Sequence, residues 1–118
     1  MRKLSILVFL LATMPMMNAQ IVINEIMQSN IDCVMDDLNE FPDSWVELYN
    51  TGSTSVNLNG YRLGTSNDPN EAYALPSYSL ASHGLKLVYC DKESGNWHTP
   101  FRLESGKGCS VYLFKGTE

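Results

Sequence analysis

Trp45-Val46-Glu47-Leu48-Tyr49-Asn50-Thr51-Gly52 is the stretch whose reading decides the fold. Apolar and polar side chains alternate along it, aromatic and branched residues dominate, and Asn-Thr-Gly ends it as a turn. A period of two sends successive side chains to opposite faces, so one face can be buried while the other meets solvent. The same signal recurs on both sides. Upstream, Ile21 to Met27 is a compact run rich in β-branched residues. Downstream, Val56 and Leu58 lie two apart, Asn59-Gly60 marks a tight turn or bulge, and Tyr61-Arg62-Leu63 follows. Asn67-Asp68-Pro69-Asn70 breaks the chain again, and Ala72 to Leu75 stops at Pro76. His83-Gly84 then introduces Leu85-Lys86-Leu87-Val88-Tyr89-Cys90, the best strand in the chain. Phe101-Arg102-Leu103 is brief, and Ser105-Gly106-Lys107-Gly108 turns into Cys109-Ser110-Val111-Tyr112-Leu113-Phe114.

No window sustains a 3.6-residue apolar stripe; only Ile31 to Leu38 could form a helical turn, since Cys33 to Leu38 lacks breakers. About seven short strands at roughly 8–12-residue spacing predict an all-β sandwich or barrel. Such strands gain stability only by burying one face each, so two sheets are expected to pack face to face.

The N-terminus reads differently. Arg2 and Lys3 precede a mostly apolar stretch from Leu4 to Met17, and Met17-Asn18-Ala19 offers small residues before Gln20. The stretch falls short of the roughly 20 apolar residues a membrane-spanning helix needs. It suits a cleavable signal peptide over residues 1–19, leaving one domain over 20–118 and a secreted, periplasmic or cell-surface location. With no Cys at the cleavage point, a lipid anchor is not expected.

The chain carries eight basic and thirteen acidic residues, a net charge of −5. Cleavage at Ala19 removes two basic residues and no acidic one, which makes it −7. An acidic domain of this size is repelled by phosphate backbones and anionic lipid heads, so nucleic acid is not an expected partner. Three cysteines in an exported chain allow one disulfide, with Cys90 and Cys109 as the candidates beside strand-like runs. The competing reading is small buried thiols. No C-x₂-C zinc spacing, G-x-S-x-G elbow or H-E-x-x-H helix occurs. His83 and His98 read as surface or turn residues, and no catalytic constellation stands out.

Two groups of side chains carry chemistry. Asp32, Asp36, Asp37, Glu40 and Asp43 crowd the connection before Trp45, and acidic loops of this kind can hold calcium. The EF-hand pattern is absent, so a solvated loop is the competing reading. Trp45, Tyr49, Tyr61 and Trp97 could line a ligand-binding face, with Trp97 the most exposed. In a sandwich, aromatic side chains more commonly fill the core. Glu25 and Glu47 read as outward charges or as a polar pair across neighbouring strands.

Val22-Ile23-Asn24-Glu25-Ile26-Met27, followed by Asp43 to Asn50, resembles the opening of bacterial lamin-tail domains. So does Gly52 through Val56-Asn57-Leu58-Asn59-Gly60-Tyr61-Arg62-Leu63. Leu80-Ala81-Ser82-His83-Gly84 before a long apolar strand, then His98 to Leu103 and Val111 to Phe114, complete the likeness. The resemblance implies an immunoglobulin-like β-sandwich. It also implies an exported, non-catalytic binding or interaction module whose partner is a protein or a cell-surface polymer. An alternative is the N-terminal accessory domain of a larger secreted enzyme of spore-coat-H-like kinase, nuclease or phosphatase type; a further one is a calcium-stabilised adhesion domain. Family members continue beyond the Val-Tyr-Leu-Phe strand, whereas this chain stops at Glu118. The expectation is a missing last strand and self-association through the open sheet edge.

Export has a direct check. Intact-mass analysis of protein recovered outside the cytoplasm should give a chain beginning at Gln20; a mass that still includes Met1 to Ala19 overturns the leader.

Overall fold

The structure, a computed structural model, describes residues 20–116 apart from 32, 105 and 107. The expected leader, Asp32, part of the Ser105–Gly108 turn and the last two residues lie outside the described residues. Nine strands are described: β1 (Ile21–Met27), β2 (Trp45–Asn50), β3 (Val56–Asn57), β4 (Tyr61–Gly64), β5 (Tyr73–Ala74), β6 (Ser79–Leu80), β7 (Leu85–Cys90), β8 (His98–Thr99) and β9 (Tyr112–Lys115). They form a four-stranded sheet in the order β1-β2-β7-β8, a three-stranded sheet β5-β4-β9 and a small β3-β6 pair. Every pairing is antiparallel except β7 with β8. The architecture is the expected immunoglobulin-like β-sandwich.

One cluster joins the sheets. Ile21, Val46, Leu48, Val88 and Cys90 of the larger sheet meet Tyr61 and Leu63 of β4, together with Leu58, Leu75, Leu80 and Leu103 from the rims. Val46 and Leu48 are fully buried, as alternation along β2 demands.

In β1, alternation alone would put Glu25 on the same face as Ile21 and Ile23. A register shift between Ile23 and Glu25 takes up the extra residue, so Glu25 stands opposite Glu47 and Ile26 opposite Val46. This bulge restores the phase and keeps a carboxylate out of the core. Glu25 and Glu47 are therefore the cross-strand pair the sequence suggested. Like charges in that position repel, and the Asn24 side chain donates to Glu47 Oε1 at 2.8 Å.

Two buried polar residues hold the ends of β2. Asn50 is fully buried, and its amide nitrogen donates to the carbonyls of Thr54, Leu80 and Ala81 at 2.9–3.1 Å. Its Oδ1 accepts from Gln20 Nε2 and the Gly52 amide. At the other end the Ser44 hydroxyl donates to Cys90 O at 2.6 Å and accepts from the Leu103 amide at 3.0 Å. Asn50 thus ties the start of the larger sheet to the β6 turn, and Ser44 ties β2 to β7 and the 103 segment.

Several local expectations are corrected. Among its described residues, 31–38 makes only a turn at Asp37–Leu38, and the one short helix described is a 3₁₀ turn at Pro69–Glu71, which starts inside the Asn67–Asn70 breaker cluster. Phe101-Arg102-Leu103 is not a strand: Arg102 makes an isolated bridge to Asp91, and pairing falls instead on His98–Thr99. Ser79–Leu80 was not anticipated. Two-residue strands carry no period, so only their partners define them. β9 pairs with β4 and is the edge of its sheet among the described residues. Tyr112 and Phe114 share one face, as alternation along β9 requires, with rings stacked 6.1 Å apart.

Asn50→Asp keeps size and shape but turns a donor toward three carbonyls into an acceptor. It should cost about 3 kcal/mol or more, and Ser44→Ala about 1–3 kcal/mol by stranding the Leu103 amide. Leu85→Ala, at an exposed position, should stay within about 0.5 kcal/mol. Urea denaturation with a common slope checks the order; wild-type stability for Asn50→Asp contradicts the role assigned to its side chain.

Candidate functional site

The connection between β1 and β2, residues 28–44, is long and folds on its own polar side chains. Asn30 is buried; its Nδ2 donates to the carbonyls of Val34 and Pro42, and its Oδ1 accepts from the amides of Cys33 and Val34. Asp36, also buried, accepts through Oδ1 from the amides of Leu38 and Glu40. These two residues satisfy the backbone that a connection without strand pairing would otherwise leave unbonded.

The loop delivers Asp36 and Asp37 to the end of the larger sheet, where β7 runs into Asp91 and β8 begins at His98. His98 is buried; its Nε2 lies 2.9 Å from Asp37 Oδ1 and its Nδ1 2.8 Å from Asp91 Oδ2. The Asp91 side chain is buried and that of Asp37 is exposed. Ionised carboxylates only accept, so an acceptor facing each ring nitrogen favours the doubly protonated imidazolium. Burial opposes a charged ring, but the hydrogen bonds that it donates to Asp37 and Asp91 prevail and raise the pKa above the usual imidazole value. Asp37 is held below the usual carboxylate range, chiefly by its hydrogen bond to His98. A carboxylate oxygen of Asp36, one of Asp91 and a ring nitrogen of His98 lie within 4.8 Å of one another. Asp36 Oδ2 is buried with no hydrogen-bond partner among the described residues.

Only part of the acidic set suggested by the sequence assembles here. Asp36 and Asp37 reach the cluster, Asp43 faces Arg102 at 3.4 Å, Glu40 is exposed, and Asp32 lies outside the described residues. His98, expected at the surface or in a turn, is buried and central, whereas His83 is exposed in its turn and bonded to Tyr49 Oη at 3.0 Å. Asp91 and His98 were not grouped with the loop because many residues separate them from it; the signal available was an Asp and a His bracketing the Gly95 turn.

The four aromatic candidates do not form one face. Tyr61 belongs to the core, and Trp45 is buried on the opposite side of β2. Tyr49 is half-buried and engaged with His83. Trp97 is also half-buried rather than exposed. Its φ of 72° is costly for so large a side chain. The position is held by its amide donating to Tyr73 Oη and its carbonyl accepting from the Tyr89 amide. Lys86, opposite Leu48 in register, extends its ammonium over Trp97 at 4.4 Å and over Tyr78 at 4.6 Å. Burial lowers its pKa, and Asp37 partly opposes the shift. An aromatic surface already covered by a cation is not open to a ligand. A groove runs along Gln20, Val56, Asn59, Tyr61, Lys115 and Gly116, and among the described residues Lys115 is the one charged side chain lining it.

An all-β sandwich with its polar cluster on connections rather than in a cleft defines an immunoglobulin-like domain. The lamin tail domain family matches residues 15–118, and the chain belongs to that family. The family is one of non-enzymatic immunoglobulin-like domains. No curated protein matches the chain, and no solved structure matches it.

The cysteines are not joined: Cys33 is exposed, Cys109 half-buried and Cys90 buried, all as free thiols. Burial pushes the Cys90 thiol up to about 12, which leaves almost no thiolate near neutrality. Alkylation at pH 8 should therefore modify Cys33 first, Cys109 more slowly and Cys90 only after unfolding. A Cys90–Cys109 linked peptide in a non-reduced digest of native protein would reverse this assignment.

Proposed function

We propose that the chain is an exported, non-catalytic binding module that works outside the cell and holds a protein partner through its 28–44 loop. The observation that carries this reading is the exposure of Ile31, Met35, Leu38 and Phe41 on that one loop, Ile31 at 80%. Large apolar side chains scattered singly over a surface are ordinary, but four on one loop are the mark of a contact surface. The loop is also rigid enough to recognise something, because Asn30 and Asp36 bond its backbone from within. Exposed Asp37, Glu40 and Asp43 lie among the apolar residues. They suit a partner surface with an apolar centre and basic margins, since charge complementarity sets orientation and association rate while apolar burial supplies most of the affinity. The expected leader supports an extracellular place of work, and membership in a non-enzymatic family supports binding over catalysis.

No helix among the described residues is long and apolar enough to cross a membrane.

The loop reading is checked by binding of the purified chain to isolated cell envelopes of the source organism. A variant with Ile31, Leu38 and Phe41 all changed to Asp should lose at least tenfold in bound fraction while melting within a few degrees of wild type. A Leu85→Asp control should bind normally. Equal binding by the loop variant and wild type removes the loop from the interface.

A further inference from the structure

We propose that Asp36, Asp91 and His98 form the binding site of one divalent first-row transition-metal ion, Zn²⁺ foremost. The ion would join the 28–44 loop to the end of the larger sheet. Ligand atoms of the three residues already lie within 4.8 Å of one another. Atoms bound to one zinc at about 2.0–2.2 Å stand roughly 3.3 Å apart, so side-chain rotations of about 1.5 Å close the set.

The independent sign of a missing ligand is Asp36. Its side chain is more than nine-tenths buried, its Oδ1 is committed to the amides of Leu38 and Glu40, and its Oδ2 has no hydrogen-bond partner among the described residues. A buried carboxylate oxygen without a partner is strongly unfavourable, and nothing in the packing of the loop requires it. Metal coordination accounts for it: Oδ1 remains with the loop amides, which orient the group, and Oδ2 binds the ion. The other buried side-chain atom without a partner among the described residues, Trp45 Nε1, is a donor and has no affinity for a cation.

Charge points the same way. Three carboxylates, Asp36, Asp37 and Asp91, converge on a single imidazole, so even a fully protonated His98 leaves the cluster negative. The nearby Lys86 ammonium is engaged with the rings of Tyr78 and Trp97. A divalent ion neutralises what one proton cannot. On binding, one imidazole nitrogen exchanges its proton for the metal, while the other keeps its hydrogen bond to a carboxylate and so fixes the ring.

Ligand type selects the metal. Calcium takes six to eight oxygen ligands, and this cluster presents an imidazole nitrogen and few oxygens. Imidazole with carboxylate suits zinc, and manganese less strongly. The proposed mixed nitrogen–oxygen site shares only Asp36 with the oxygen-only calcium loop suggested by the sequence. The site does not depend on the docking role of the loop; a metal-free chain could still bind its partner, and a metal-loaded one could fail to.

The test uses the purified chain, stripped with chelator and titrated separately with Zn²⁺, Mn²⁺, Ca²⁺ and Mg²⁺. Calorimetry should give one Zn²⁺ per chain, and melting should rise by roughly 10–20 °C at a hundredfold excess over Kd. Ca²⁺ and Mg²⁺ should produce no comparable shift. Asp36→Asn retains the Oδ1 acceptor for the loop amides and removes the unpartnered oxygen. It should fold at least as stably as the stripped wild type and lose at least 30-fold in Zn²⁺ affinity. Unchanged zinc affinity in Asp36→Asn leaves Asp36 a loop-capping residue and overturns the site. So does a Co²⁺ complex with thiolate charge-transfer absorption, which would place the metal on cysteine, or a larger stabilisation by Ca²⁺ than by Zn²⁺.

Discussion

A buried polar group must find a partner inside the protein, and the sandwich is organised around two places where β2 meets that demand. Its inner face is fully apolar through Val46 and Leu48, yet it is bounded by Ser44 and Asn50, both with no exposure. Water cannot reach either side chain, so each must collect its bonds from other segments. Asn50 draws in Gln20, the 52–54 turn and the 80–81 turn; Ser44 draws in Cys90 and Leu103. The apolar cluster supplies most of the driving force for collapse, but it does not discriminate between neighbouring registers as sharply as a side chain with several fixed partners. Slipping β2 by one residue would put Glu47 in the core and strand both clamps.

The outer rim follows from that register. Because β2 pairs with β7 at Trp45 and Tyr89, β7 ends at Cys90 and leaves Asp91 at the sheet boundary. β8 returns in parallel beside it and places His98 opposite Tyr89, their rings 5.2 Å apart. The 28–44 loop has no strand of its own and is held instead by Asn30 and Asp36, which leaves its apolar side chains outside. Rigid strands thus position three connections, and the chemistry resides on the connections. Membership in the lamin tail domain family accounts for the scaffold; what this chain does rests on the residues its loops present.

Much of this was legible without coordinates. Alternation in 45–49 and the apolar run 85–90 identify the two central strands, and the turn residues between short runs identify a sandwich rather than a bundle. The bulge in β1 was not legible as such, although Asn24-Glu25 in an otherwise apolar run is the place where phase must change. The very short strands β6 and β8 were missed because two residues have no periodicity. The composition of Phe101 to Leu103 predicts a strand, whereas Leu103 packs into the core and its amide bonds to Ser44, contacts that no local pattern encodes.

By itself the sequence determined which segments are extended, where they turn and which face of the long strands is apolar, because those properties depend on neighbours one to four residues apart. Only the tertiary structure decided which polar residues are buried together. Ligand atoms of Asp36, Asp91 and His98 come within 4.8 Å of one another because β2 pairs with β7 and β7 with β8, and such distances are set by sheet register. The aromatic candidates were dispersed for the same reason: whether Trp45, Tyr49, Tyr61 and Trp97 share a face depends on strand pairing and loop path, which spacing along the chain does not contain.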